Sequence, residues 1–298
     1  MDTRTIGVIS PGDMGHVVGG MLGGQGHRVL TLLTGRSELT RERAGRSNME
    51  DAGDLGSLVQ EASMVLSIMP PENALGFAAD AAAAMSATGA APLFVDCNAV
   101  SPKTTLAIAE AMSGAGADFV KVGIIGPPPG RGPRTRFYAG GASVNEIAFM
   151  DGEAVSVIDM GPEITRAAAI KMCYAGMTKG KMTLHTAVLL AGELLGVGEE
   201  LQAEFSKSQN ADWDMMTARV PFYACDAGRW SGEMDQISET FGAAGLTPDL
   251  HKGAADVFRL IDSSPLGAET RETLDKSRTL QQTLDIYAET VAGRKAAE

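Results

Sequence analysis

Aromatic residues and cysteines are scarce in this chain of 298 residues, and no apolar run is long enough to span a membrane. Aromatic residues make up only 5% of the sequence, so aliphatic side chains and 16 methionines must fill most of the interior. The three cysteines, Cys97, Cys173 and Cys225, are widely spaced and include no CxxC pair. This spacing disfavours a disulfide framework or a zinc site, so we expect no bound metal and a reducing, cytoplasmic location.

Basic residues are also in deficit, with 25 Lys and Arg against 37 Asp and Glu and a formal net charge of −12. Such a surface repels phosphates, so we expect no nucleic-acid partner, no membrane partner and a small-molecule substrate. A local basic pocket for a phosphorylated small molecule stays compatible with this charge. The first residues, MDTRTIGVIS, lack the pattern of a secretory signal peptide, which also favours the cytoplasm.

Short β-rich runs alternate with Ala- and Gly-rich helical segments in the first half of the chain. The predicted strands are 5–10, 28–33, 64–69, 92–96, 119–125, 136–139 and 155–158, and helical segments include 14–22, 72–85 and 102–112. Apolar strands alternating with helices predict an α/β fold whose doubly wound, mostly parallel sheet is covered on both faces.

The strand pattern ends near Gly161-Pro162, and the sequence from 163 to about 195 predicts one long helix. Shorter helical stretches separated by turn residues follow it. We therefore predict a dinucleotide-binding domain over 1–160 and an all-α domain over 161–298 that begins with a long interdomain helix.

A glycine-rich turn joins the first predicted strand to the first helix, in the sequence IGVISPGDMG of residues 6–15. Gly12 and Gly15 occupy the second and third glycine positions of the G-x-G-x-x-G dinucleotide fingerprint, and Ser10 stands at the first. This context predicts a Rossmann domain whose turn binds a pyrophosphate at the helix N-terminus. The predicted cofactor contacts are Ser10, Pro11, Gly12, Asp13, Met14 and Gly15. The alternative is a turn with only a packing role.

The end of the second strand bears on the choice of cofactor. An NAD enzyme usually has an acid there for the ribose 2′-hydroxyl, but no acid appears before Glu38. Thr34, Arg36 and Ser37 instead suit a 2′-phosphate, so we predict NADP in preference to NAD. Nearby, Arg41 and Arg43 would add positive charge; the alternative is that these arginines are solvated loop residues.

Three segments together resemble the β-hydroxyacid dehydrogenase superfamily, which includes 3-hydroxyisobutyrate and 6-phosphogluconate dehydrogenases. They are the fingerprint, VLSIMPP at 65–71 and DCNAVSP at 96–102, and the resemblance extends over most of residues 5–180. The helix KMCYAGMTKG at 171–180 is similar to a branch whose C-terminal helical domain has no established activity.

This resemblance implies specific roles. Lys171 matches the catalytic lysine of the superfamily, while Asn98 and Ser101 fall in the segment that contacts substrate. The helical domain is expected to mediate a homodimer. Contacts near the nicotinamide are implied for Met69, Pro70, Pro71 and Asn98.

The sequence departs from the superfamily pattern at two places. The loop that normally contains P-V-S-G-G is GIIGPPP at 123–129, with Ile125 in place of Ser and Gly126 after it, and Pro127 lacks a backbone donor. Tyr174 stands in the turn where an Asn is usual. These departures favour a bulkier or less polar substrate than a small 3-hydroxy acid.

Further substrate contacts are predicted at Ile125, Gly126, Tyr174 and Lys179, although Lys179 is equally compatible with a surface position. Three arginines, Arg131, Arg134 and Arg136, either anchor the substrate or belong to a solvated turn.

The leading hypothesis is an NADP-dependent oxidoreductase that transfers a hydride between nicotinamide and a 3-hydroxy acid or a related hydroxy or keto compound. Lys171 would donate or accept the proton. One alternative is an imine reductase on the same scaffold, which Lys171 disfavours because that group typically replaces the lysine. The other is a non-catalytic dinucleotide-binding sensor.

Overall fold

The computed structural model describes residues 3–297 and divides the chain after Tyr174 into two compact units, each with its own internal contacts. The first unit contains an eight-stranded sheet, which confirms the α/β prediction. Its strands are β1 (Thr5–Ile9), β2 (Arg28–Thr31), β3 (Glu50–Asp51), β4 (Met64–Ser67), β5 (Leu93–Asp96), β6 (Phe119–Ile125), β7 (Thr135–Gly140) and β8 (Val155–Asp159). Its helices are α1 (Gly15–Gly24), α2 (Glu38–Arg46), α3 (Leu55–Glu61), α4 (Pro71–Thr88), α5 (Pro102–Gly114) and a 3-10 helix at Val144–Met150.

The strand order is β3-β2-β1-β4-β5-β6-β7-β8, the arrangement of a doubly wound sheet extended at one edge. All pairs are parallel except β6 and β7, which are antiparallel. The prediction of a mostly parallel sheet is therefore confirmed. The exception follows from the short connection between these two strands, because a chain that crosses no helix must return in the opposite direction.

Three elements of the first unit were not predicted from sequence, because they are short or mostly polar. The strand β3 has only two residues and both are exposed, so it lacks the apolar run by which the other strands were predicted. Helix α2 buries only Ala44, and α3 has seven residues, of which Leu58 and Val59 are buried. Their N-caps are the visible signals, because Ser37 and Asp54 each accept a hydrogen bond from the backbone three residues later.

Both faces of the sheet are covered by apolar side chains. On one face Ile6 and Val8 of β1 belong to a cluster with Val18 of α1 and Ile147 of the 3-10 helix. On the other face Ile9 belongs to a cluster that also contains residues of α3, α4 and α5. Burial on both sides explains why the central strands β1, β4, β5 and β6 are mostly apolar and were predicted from sequence.

Two glycines allow helices to approach the sheet closely. A Cβ atom on Gly15 would lie 1.9 Å from the carbonyl oxygen of Ser10, so α1 can start where it does only with glycine. A Cβ on Gly123 of β6 would lie 2.5 Å from the carbonyl oxygen of Ala167. The helix α6 (Ile164–Leu194) thus begins against β6 in the first unit, which is why the units divide after Tyr174 rather than at residue 160.

The second unit is helical, as predicted. Besides the rest of α6 it contains α7 (Gly198–Ser208), α8 (Asn210–Arg219), α9 (Ala224–Ala243), α10 (Asp249–Asp262) and α11 (Leu280–Ala297), with short 3-10 helices at Val220–Phe222 and Pro265–Ala268. The rings of Tyr223, Trp230 and Phe258 pack together with centroid separations of 5.5–6.0 Å. Within residues 3–297 no helix has both the length and the apolar character that crossing a bilayer would require.

Replacing Gly15 with Ala tests the close contact between α1 and the fingerprint turn. We expect Gly15→Ala to lower the free energy of unfolding by about 1–3 kcal/mol or more, because its Cβ would overlap a backbone oxygen. Gly23→Ala in the same helix is the matched control, since no described atom lies within 4 Å of its added Cβ. The control should raise stability by up to about 1 kcal/mol through helix propensity. Equal effects of the two substitutions in urea denaturation would contradict this account.

Candidate active site

The carboxyl ends of the central strands define one edge of the sheet. Ile9 of β1 is in register with Ser67 of β4, Ser67 with Asp96 of β5, and Asp96 with Lys121 of β6. The segments that follow Ile9, Ser67 and Asp96 therefore emerge at the same edge, and β6 continues past it to Ile125. In open parallel sheets this is the edge where nucleotides bind.

The fingerprint turn is held by backbone hydrogen bonds. Ser10 donates its N–H to the carbonyl of Ile68 at 2.9 Å, and Gly12 donates to the carbonyl of Ser10 at 2.8 Å. Among the described atoms, the nearest to a Cβ built on Gly12 is the Ser10 hydroxyl oxygen, at 4.0 Å. A close contact thus requires glycine at Gly15, whereas Gly12 faces open space in which a phosphate would fit. The remaining predicted contacts of this turn, Pro11, Asp13 and Met14, lie on the same turn immediately before α1.

Asn98 is buried, with 2% exposure, and its side-chain amide has partners on both sides. Its Oδ1 accepts the backbone N–H of Met69 at 2.7 Å. Its Nδ2 donates to the Ser67 hydroxyl at 2.8 Å and to Asp96 Oδ1 at 2.6 Å. The geometry therefore assigns this amide to positioning the segment that begins at Met69. The predicted contact of Asn98 with cofactor or substrate stays a prediction.

An ion pair lies beneath Asn98. Lys121 and Asp96 are both fully buried, and Lys121 Nζ donates to Asp96 Oδ2 at 2.6 Å and to the Asn98 carbonyl at 2.7 Å. Sequence reasoning missed Lys121, although a lysine inside the apolar strand FVKVGII was a visible signal of a buried partner. Burial and the Asp96 carboxylate also raise the pKa of the adjacent Cys97 thiol, so this cysteine stays protonated and unreactive.

Lys171 lies on the part of α6 that packs against β6. A Cβ on Gly123 would be 3.0 Å from the Cβ of Lys171. Gly123 is two residues beyond Lys121 along β6, so Lys171 sits over the carboxyl edge of the sheet. The lysine is half-buried. Three strand spacings, roughly 14 Å, separate β6 from the fingerprint strand β1.

The other predicted substrate contacts are distributed around this edge. Ser101 is fully buried, and its hydroxyl caps α5 by accepting the N–H of Thr104 at 3.0 Å. Ile125 ends β6 and is 3% exposed, whereas Gly126 after it is exposed. Tyr174 is 46% exposed and is the last residue of the first unit. Each stays a prediction as a substrate contact, but the side chain of Ser101 already has a structural partner.

Lys179 belongs to the second unit. Its ammonium forms an ion pair with Glu233 and lies 5.6 Å from the centre of the Trp230 ring. The partner carboxylate also accepts from Arg229 at 2.9 Å. Lys179 is 9% exposed, so it belongs to a buried charge network of the helical unit and is not a surface lysine.

The residues predicted to favour NADP over NAD lie around the turn after β2. Arg36 is exposed, and its carbonyl accepts a hydrogen bond from Arg41 Nε at 3.2 Å, so the two arginines are neighbours. Ser37 caps α2, and the Thr34 hydroxyl donates to Gly53. The structure adds Asp51, whose Oδ1 accepts the N–H of Leu33 at 3.1 Å. Its position at the end of the neighbouring strand β3 could not be inferred while β3 was missed.

Arg131 has a role that neither sequence interpretation anticipated. It donates to the Asp13 carboxylate at 3.0 Å, and its guanidinium lies 3.1 Å from His16 Nε2. Arg134 instead pairs with Asp151 at 3.1 Å. The loop between β6 and β7 is therefore tied to the fingerprint turn.

Comparisons with known proteins agree with this arrangement. Residues 5–146 match the model of the NAD binding domain of 6-phosphogluconate dehydrogenase. Residues 193–261 match DUF1932, a domain of unknown function. These two matches and the shared fold support the resemblance to the β-hydroxyacid dehydrogenase superfamily. With the helical C-terminal domain they support an NAD(P)-dependent oxidoreductase of this kind, in agreement with the resemblance stated from sequence.

Individual relatives are distant. An uncharacterized 28.5 kDa protein of Methanothermus fervidus, encoded in a 7S RNA 5′ region, is 23% identical over 235 residues, covering 78% of this chain and 90% of that protein. The 3-hydroxyisobutyrate dehydrogenase of Mycobacterium tuberculosis, solved with L-serine, is 18% identical with a TM-score of 0.65 and covers 95% of this chain and 99% of its own. A Streptomyces aurantiacus imine reductase is 17% identical with a TM-score of 0.54, covering 91% of this chain and 98% of its own. Likeness at these identities shows the fold.

Removing the buried ammonium tests the network beneath the site. Lys121→Met should lower the free energy of unfolding by about 3–5 kcal/mol, because it leaves the Asp96 carboxylate buried without its counter-ion. The double variant Asp96→Asn/Lys121→Met should recover part of this loss, since no uncompensated charge remains. Lys103→Met, at an exposed position of α5, serves as the control and should change stability by less than about 0.5 kcal/mol. A Lys121→Met protein as stable as the control in urea denaturation would show that the pair has no stabilising role.

Proposed function

We propose that this chain is an NADP-dependent oxidoreductase that transfers a hydride between nicotinamide and a hydroxy acid or its keto form, with Lys171 as the proton donor or acceptor. The observation that carries the proposal is the position of Lys171, whose Cβ lies beside Gly123 at the sheet edge where the fingerprint turn also emerges. A helix amine and a dinucleotide turn at one edge are the two protein parts that such a reaction needs.

The chemistry divides between cofactor and protein. When bound, the nicotinamide supplies or accepts the hydride. Lys171 as a neutral amine would accept the hydroxyl proton during oxidation, and as an ammonium it would donate a proton to the carbonyl oxygen during reduction. Asn98 accepts the backbone N–H of Met69, the first residue of the segment from Met69 to Pro71. This hydrogen bond makes the segment a rigid wall of the site. A rigid wall helps to align the reacting carbon with the nicotinamide ring.

The preference for NADP rests on local charge. Arg36 and Arg41 are neighbours at the turn after β2 in a protein whose net charge is −12. Asp51 lies close by, but one of its oxygens accepts the N–H groups of Leu33 and Gly53, each at 3.1 Å. That carboxylate is thus engaged in holding the turn, while the guanidinium groups carry the charge that suits a 2′-phosphate.

Imine reduction is the second candidate, because the Streptomyces aurantiacus imine reductase shares the fold over 91% of this chain. The two candidates use the same cofactor and differ in the substrate atom that is protonated. Screening hydroxy acids, keto acids and cyclic imines for a change in nicotinamide absorbance separates them. A protein that binds cofactor but turns over no compound of these three classes would favour a sensor.

Arg36→Glu tests the choice of cofactor. The unaltered protein should bind NADPH at least about tenfold more tightly than NADH, and the substitution should weaken NADPH by about tenfold or more while leaving NADH nearly unchanged. Calorimetric titration or thermal shift with both cofactors provides the measurement. Arg46→Glu in α2, whose guanidinium pairs with Glu42, is the control and should alter the ratio of the two affinities little. Equal binding of NADPH and NADH by the unaltered protein would refute the preference.

Lys171→Ala tests the proton-transfer role on whichever substrate the screen identifies. We expect kcat to fall by about 10²–10⁴-fold, the usual contribution of a general acid or base, while NADPH binding is retained. Lys181→Ala, on the same helix in the second unit, removes a lysine that pairs with Asp212 and should leave kcat nearly unchanged. An unaltered kcat in Lys171→Ala would exclude this lysine as the proton donor or acceptor.

A further inference from the structure

A negative charge stands in the fingerprint turn at the point where the pyrophosphate of a dinucleotide binds. Asp13 follows Gly12 directly and precedes α1, which begins at Gly15. The N-terminus of such a helix favours anions through its free N–H groups and its dipole. A carboxylate near this end is compatible with the helix dipole, but it repels the phosphates that the turn has to bind.

Arg131 lies against this carboxylate, although it is far away in sequence on the loop between β6 and β7. Its Nη1 donates to Asp13 Oδ1 at 3.0 Å. Its Nη2 lies 3.1 Å from Nε2 of His16, and Nδ1 of the same imidazole is 2.6 Å from the Gly12 carbonyl oxygen. With Nδ1 protonated, the imidazole donates to Gly12 and accepts from Arg131. One guanidinium therefore contacts the acid of the turn and, through His16, the backbone of Gly12.

We propose that Arg131 is a positioning residue for cofactor binding, which neutralises Asp13 and holds the fingerprint turn in the form that accepts the pyrophosphate. The proposal rests on the nicotinamide-dependent function proposed above and adds a residue outside the fingerprint to its binding site. Arg131 acts through Asp13 and His16 in this role. It is therefore distinct from the substrate anchor or solvated residue that the sequence left open.

The neighbouring Arg134 provides a matched control. Arg131 and Arg134 come from the same loop, and both side chains are 48% exposed. Arg134 pairs with Asp151 at 3.1 Å and donates to the Val155 carbonyl at 3.0 Å. Removing either arginine deletes one positive charge from the loop, but only Arg131 contacts the fingerprint turn. A difference between the two variants therefore measures the contact with the turn rather than the net charge.

The experiment is a double-mutant cycle in the full chain, with the dissociation constant for NADP⁺ measured by calorimetry at low and high KCl. Arg131→Ala should raise this constant by about 3- to 10-fold, as expected when a partly exposed carboxylate beside the phosphates loses its contact with a guanidinium. The defect should shrink at high salt, since exposed charges are screened. Asp13→Asn alone should leave binding unchanged or slightly tighter. Asp13→Asn/Arg131→Ala should return to within about twofold of the unaltered protein, because the repulsive carboxylate is gone.

Two results would overturn the inference. If Arg131→Ala binds NADP⁺ as well as Arg134→Ala does, the contact has no role in binding. If the double variant stays as weak as Arg131→Ala, the arginine acts on the cofactor directly rather than by neutralising Asp13. Failure of the unaltered protein to bind either NADP⁺ or NAD⁺ would instead refute the proposed function, so the two failures are distinguishable. Both side chains are partly exposed, and an unchanged thermal midpoint of each variant without cofactor will verify folding.

Discussion

The buried pair of Lys121 and Asp96 is the interaction on which the candidate site depends. Two charges removed from water must satisfy each other and nearby dipoles, or the cost of desolvation exceeds their attraction. Here Lys121 uses the Asp96 carboxylate and the Asn98 carbonyl, while Asp96 also accepts from the Asn98 amide. Because each member is held by the others, the segments after β4 and β5 leave the sheet in one fixed arrangement. The buried pair therefore fixes the position of the segment from Met69 to Pro71 in the candidate site.

A helix or strand could be predicted from sequence when its burial leaves a pattern in its own residues. Buried parallel strands have to be apolar, so β1, β2 and β4 to β8 were visible, and the fingerprint indicated the nucleotide end. The two-residue β3 and the polar α2 left no such pattern. Missing β3 also hid Asp51, because the strand order that brings it beside Leu33 is a property of the sheet and not of the local sequence. Its carboxylate holds the turn at which the cofactor preference is proposed.

The family resemblance and the structure assign different roles to Ser101 and Asn98. Ser101 and Asn98 were singled out as possible substrate contacts. The structure gives Ser101 an N-cap and Asn98 a place in a buried network. The cap was available from sequence, since Ser at the N-cap followed by Pro at the first helical position is a common start of a helix. The contacts of Asn98 with Ser67 and Met69 were not, because those residues end or follow β4 and the register of the sheet brings them beside Asn98.

For the same reason, we expect substrate specificity to depend on the loops rather than on the sheet. At the carboxyl edge of the sheet, Asp96, Asn98 and Lys121 bond to one another and hold the frame of the site. The departures from the superfamily pattern lie at Ile125 and in the Pro- and Gly-rich loop after it. This loop contacts the fingerprint turn through Arg131 and so joins a predicted substrate segment to the predicted cofactor turn. A change in that loop is therefore expected to alter substrate and cofactor binding together, which a separate substrate loop would not do.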